Sequence, residues 1–183
     1  MMKRSALAVL LMLPLAGAAL GADDQPYAGQ DAREIASLSQ ADVDAILAGQ
    51  GWGLAKPAEL NGYPGPLHVL EEADALELTE EQRGAVQAIY DEMKAAAQEA
   101  GAAYVAAEEH LSMMFRMGHA TPERLQAMLD ESAGALAALR QVHLAAHLQV
   151  TPLLTEAQRT AYAELRGYGA GGGHGDHSGH ERH

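Results

Sequence analysis

An all-α fold is predicted, built on one long antiparallel helical hairpin with short helices before and after it. Three observations predict it. Small or apolar residues recur alternately four and three positions apart over 86–114 and again over 125–150, the spacing of a helix–helix seam. Only residues 118–121 separate the two runs, so the second helix must turn back along the first. No alternating strand pattern interrupts them, and Ala, Leu, Glu and Gln, all good helix formers, dominate.

The chain of 183 residues opens MMKRSALAVLLMLPLAGAALG. Lys3 and Arg4 make a positive start, a short apolar run follows from Ala6 to Leu15, and Ala19 and Gly21 supply the small residues of a cleavage site. Residues 1–21 therefore read as a secretory signal peptide. The apolar run is too short for a transmembrane helix; a retained N-terminal anchor is the alternative. The expected location is the periplasm.

Residues 22–65 form a polar segment with short helices. It begins loose. Ser39 and Asp42 are spaced as a capping box, and Val43, Ile46 and Leu47 give the helix that follows one apolar side. Gly49 and Gly51 end it. The stretch GWGLAKPAELNGYPGP is rich in Gly and Pro, so it is read as turns with at most one helical turn near residues 58–60.

Residues 66–166 form the hairpin domain. Pro66 opens a short helix that carries Val69, Leu70, Ala73 and Leu76 on one side. Thr79 and Gln82 make a capping box for the first long helix, which should end at Gly118. Its seam runs through Val86, Tyr90, Met93, Ala97, Ala100, Tyr104, Ala107, Leu111 and Met114. Thr121 caps the second long helix with Pro122 in its first turn. Its seam is Leu125, Leu129, Ser132, Leu136, Leu139, His143, Ala146 and Val150. Pro152 interrupts it, and Thr155 with Gln158 caps a last short helix. Residues 167–183, GYGAGGGHGDHSGHERH, read as a disordered Gly/His tail. Much of the seam is Ala, so the pair buries little area alone. The N-terminal helices must cover it, or a second chain must, and a homodimer is the natural solution.

The formal net charge is −13, with 25 acidic and 12 basic residues. Such a chain is repelled by nucleic acid and by anionic headgroups and attracts cations or basic unfolded segments. There is no Cys, so a metal site must use His, Met, Asp or Glu. No nucleophile, base and orienting group stand in a recognisable pattern, and no enzyme activity is expected. The Glu71-Glu72 and Glu108-Glu109 pairs read as solvated helix faces.

The pentads Leu78-Thr79-Glu80-Glu81-Gln82 and Leu154-Thr155-Glu156-Ala157-Gln158 bracket the hairpin. A Cys-free, exported, all-helical chain with LTxxQ at both ends of its hairpin resembles the Spy/CpxP family of periplasmic proteins. The resemblance covers roughly residues 66–166. It implies a curved, antiparallel helical dimer that works in envelope stress or metal tolerance, as an ATP-independent chaperone for unfolded periplasmic proteins, a zinc-resistance protein, or a cobalt/nickel sensor read by a membrane protein. On the residues alone, LTxxQ is fold punctuation.

Three clusters carry candidate chemistry. His143 and His147 lie one helical turn apart, so both can face one ion. A turn about residues 119–120 sets His143 across from Ala96 and His147 across from Glu92, and His68 must run back past the same level. Zn, Ni or Co suits such a set. In the family's cobalt/nickel sensors a leading-segment His, a Glu of the first arm, and a His and Met of the second hold the metal. The resemblance gives these places to His68, Glu92 and His143, with His147 where the Met stands. The competing reading is a core His143 hydrogen-bonded within the bundle. At the hairpin tip lie His110, Met113, Met117 and His119, suited to Cu(I), to an unfolded client, or to packing against core or dimer mate. In the tail His174, His177, His180 and His183 stand three apart, a flexible chelator for Zn, Cu or Ni; a merely soluble tail is the other reading.

Overall fold

A computed structural model describes residues 27–168. Residues 1–26, which include the expected signal peptide, lie outside the described residues, as do residues 169–183 with the four tail histidines. Residues 27–32 belong to a small separate unit. In it the Gln30 N–H donates to the Tyr27 carbonyl at 3.0 Å, closing a turn with Gly29 at φ +76°.

The larger unit is all helical: α1 (Gln40–Leu47), α2 (Lys56–Glu59), α3 (Pro66–Glu71), α4 (Glu80–Arg116), α5 (Pro122–Val150), a 3-10 turn (Thr151–Leu153) and α6 (Glu156–Leu165). Among the described residues there is no strand. No helix there is long and apolar enough to cross a membrane.

α4 and α5 form the long pair. Three helix starts carry complete capping boxes: Ser39 with Asp42, Thr79 with Gln82, and Thr155 with Gln158. Each hydroxyl accepts the N–H three residues on, and each partner side chain accepts the N–H of the cap, satisfying donors that a helix start leaves orphaned. Met117 ends α4, and Gly118, at φ +67°, lets the chain turn away. The Gly118 N–H donates to Phe115 and the His119 N–H to Met114, each at 3.0 Å, which is a Schellman closure. Gly167, at φ +71°, repeats this closure at the end of α6. It fixes Tyr168, which packs against the core. The chain is thus anchored one residue beyond the point where the sequence suggests a loose tail.

Two apolar clusters sit along the pair. One gathers Val69, Ala73 and Leu76 after the start of α3, Leu78, Val86 of α4, Val150 of α5, Leu154 and Tyr162. Val69, Val86 and Val150 are completely buried, each worth about 1.5–3 kcal/mol against exposure. The other gathers Ile35, Leu38, Ile46, Ala97, Tyr104 and Leu139. Ile35 and Leu38, in a stretch read from sequence as loose, are therefore core. Their apolar side chains cover the Ala-rich seam, and α1 can lie close because Gly101 has no Cβ; one added there would stand 2.8 Å from the Ile46 carbonyl oxygen.

Glu108 is a second correction. It is buried rather than solvated, and it accepts hydrogen bonds from the hydroxyls of Ser37 and Ser132. It follows seam residue Ala107, and the Ser37 segment folds over that side of α4. The predicted seam of α5 is buried or half-buried except at Leu129, which is 45% exposed.

Candidate functional site

Between the two apolar clusters a cavity of about 560 Å³ opens along α4 and α5. Tyr90, Met93 and Lys94 line it from α4, His143 and His147 from α5, and Gly65 to His68 from the start of α3. The loop after α1 closes it with residues 48–52, including Trp52, the chain's single tryptophan.

His143 and His147 face this cavity because α5 places residues four apart on one side. His143 is 2% exposed, and its Nε2 has no hydrogen-bond partner among the described residues. Burial holds its pKa below the ordinary 6.5, and the neighbouring His147 adds to the effect. The neutral ring therefore offers an unused nitrogen. His147 is also buried. Its Nδ1 lies 2.6 Å from the Tyr63 carbonyl oxygen and 3.7 Å from Glu59 Oε2. A carbonyl at this distance selects the Nδ1–H tautomer and leaves Nε2 as the lone-pair nitrogen. Beside that Nε2 stands Gly65, where a Cβ would come within 3.0 Å of it and 2.8 Å of Cε1. The glycine leaves a recess at the nitrogen. His68 lines the same cavity and pairs through Nδ1 with Glu71 Oε2 at 2.7 Å.

Glu92 is not part of this arrangement. It is exposed, while its neighbours Tyr90, Met93 and Lys94 line the cavity. Its place on the turn of α4 points it outward. The carboxylate near His147 is Glu59 instead. Its Oε1 accepts the Tyr162 hydroxyl at 2.5 Å and the Tyr168 hydroxyl at 3.1 Å, and its Oε2 accepts the Gly65 N–H at 3.2 Å. Burial and that hydrogen bond to Glu59 raise the pKa of Tyr162. Glu59 comes from the Gly/Pro-rich stretch, where no periodicity marks a facing residue. Only the residue type at the end of one helical turn hinted at it.

The histidines share a cavity without converging: among the described residues no group of three or more His, Asp or Glu side chains is gathered tightly enough to hold an ion. The tip residues are brought together elsewhere, with His110, Met113, Met117 and His119 all lining a second pocket. The tail histidines, His174, His177, His180 and His183, lie outside the described residues.

No known protein family matches the chain, and no curated protein or solved structure matches it either.

Proposed function

We propose that the protein is a periplasmic metal-binding accessory protein of envelope stress or heavy-metal resistance, a buffer or sensor of the Spy/CpxP type. Its long helices form an antiparallel hairpin. The observation that carries the metal reading is His143 Nε2, buried and without a partner among the described residues, in a cavity that His147 and His68 also line. An orphaned buried polar atom costs about 1–3 kcal/mol, and a metal ion is a natural partner for it. The recess at Gly65 and the Nδ1 contact of His147 with a backbone carbonyl fit a ligating imidazole. His143 and His147 would hold the ion, with His68 as third donor once it leaves Glu71. Zn, Ni or Co suits imidazole donors and a bound water. Because the donors do not yet converge, capture must draw α3 toward α5, a movement a sensor partner could read. The tail histidines would add weaker, reversible sites.

The test is titration of the full chain with all four tail histidines replaced by Gln, followed by calorimetry and by Trp52 emission. One site tighter than about 100 μM, with a change in Trp52 emission, supports the reading. Absence of any such site overturns it.

A second reading, an ATP-independent chaperone, rests on the exposed Met113, Phe115, Met117 and Leu129 near the α4–α5 link. It predicts suppressed light scattering from a denaturing client at near-stoichiometric protein. The homodimer remains part of the proposal on the resemblance alone, since Ile35, Leu38 and Ile46 already cover the Ala seam, and a mass measurement in solution tests it.

A further inference from the structure

The link between α4 and α5 carries a pocket of about 440 Å³ whose lining is unlike that of the histidine cavity. His110, Met113, Met114 and Met117 reach it from α4, His119 from the link, and Met128 from α5. We propose that this pocket is a second metal site, one that takes a soft monovalent cation, Cu(I), on thioether and imidazole donors.

The placement follows from the sequence. Residues 110, 113, 114 and 117 lie on one side of the last turns of α4. The closure at Gly118 fixes the backbone of His119, whose carbonyl oxygen also accepts Arg124 Nη1 at 3.2 Å. Thr121 caps the start of α5, which sets Met128 opposite. Four sulfurs and two imidazoles thus border one small space.

The chemistry of the lining selects the ion. Among the described residues no carboxylate lines the pocket, although Glu131 stands beside His110, and Arg124 does line it. A hard or strongly charged dication would meet a guanidinium and no carboxylate in the lining, whereas Cu(I) binds neutral soft donors. Packing alone accounts poorly for the methionines. Met114 is buried, but Met113 and Met117 are 44% and 60% exposed, so the packed helix pair does not require their side chains there. His110 is held only loosely, 3.4 Å from Glu131. This site shares no residue with the cavity of His143 and His147, so it stands or falls independently of that reading.

Replacing Met by Leu keeps apolar volume and removes the sulfur donor. It therefore separates a metal site from an apolar docking surface. The full chain, with its four tail histidines changed to Gln, is titrated anaerobically with Cu(I) in competition with a chromophoric Cu(I) chelator. We expect one Cu(I) per chain. The Met113→Leu/Met117→Leu variant should lose about tenfold or more in affinity. Ag(I), a redox-inert probe, should shift the methionine methyl resonances of Met113, Met117 and Met128 in the unaltered protein, a measurement that needs no variant to fold. Failure to compete for Cu(I), undiminished affinity in the double Leu variant, or Ag(I) shifts confined to other methionines would each overturn the proposal.

Discussion

Gln82 and Gln158 hydrogen-bond to each other in both directions: Gln82 Nε2 donates to Gln158 Oε1 at 2.9 Å, and Gln158 Nε2 donates to Gln82 Oε1 at 3.1 Å. Each amide also reaches the backbone beside the other motif, Gln82 to the Leu153 carbonyl and Gln158 to that of Leu76. The repeated pentad is therefore more than two separate caps. Its glutamines tie the start of α4 to the start of α6.

That pairing makes a prediction about coupling. Gln82→Ala and Gln158→Ala should each destabilise the protein by about 1–3 kcal/mol, since each loses a cap and leaves partners unmet. The double variant should lose less than the sum, with a coupling of about 0.5–3 kcal/mol. Urea unfolding of the four proteins measures it. Strict additivity would mean that the two amides act as independent caps.

Glu59 should matter more than a residue in a turn-rich segment usually does. Glu59→Ala strands the hydroxyls of Tyr162 and Tyr168 and the Gly65 N–H. A loss of about 2–4 kcal/mol is expected. Tyr162→Phe should be milder, because Glu59 keeps its other donors. Equal effects in denaturant melts would contradict this ordering.

His143 gives a pH dependence with a definite sign. Its folded pKa is depressed below 6.5, by burial first and by His147 second. Below 6.5 the unfolded chain binds the proton that the folded chain resists, so stability falls as pH drops through that value toward the folded pKa. Above 6.5 the group is neutral in both states and contributes no slope. His143→Leu should remove this part of the slope. It should also hold or raise stability at neutral pH, since it deletes an unsatisfied nitrogen, while losing metal-induced stabilisation. Unfolding curves at several pH values, with and without Zn, check both halves.

Gly101→Ala tests the packing of α1 on α4. The new Cβ would lie 2.8 Å from both the Ile46 carbonyl oxygen and its Cγ2. Helix propensity favours Ala by up to about 1 kcal/mol, but backbone cannot yield as a side chain can. A net loss of about 1–3 kcal/mol is expected, read as a lower thermal midpoint. A gain would mean that α1 does not sit against Gly101.

The long helices, their caps and the breaks at Gly118 and Pro152 were legible because each signal is local. Thr79, Thr155 and the seam residues need only their near neighbours to be read. What spans the chain was harder. Gln82 and Gln158 could be recognised as caps but not as partners. His68 was drawn to the histidine level by chain return alone, whereas Glu92 failed because opposite level does not fix rotation about the helix axis. Ile35 and Leu38 lie where no period repeats, so nothing in the sequence announced their burial, and half-buried Glu59 was hinted at by residue type alone. Met128 was missed at the tip because the heptad pattern assigned the inward place to Leu129, which the structure leaves exposed.

We propose that the cavity of His143, His147 and His68 holds a metal ion. A crystal of the full protein soaked in Zn or Ni, measured at the metal's absorption edge, tests it directly. An anomalous peak is expected inside the cavity, ~2.0–2.1 Å from His143 Nε2 and His147 Nε2, with His68 drawn away from Glu71. Gly65→Ala, which fills the recess without removing a donor, should erase that peak. A cavity without anomalous density in a crystal that binds the metal elsewhere would contradict the claim.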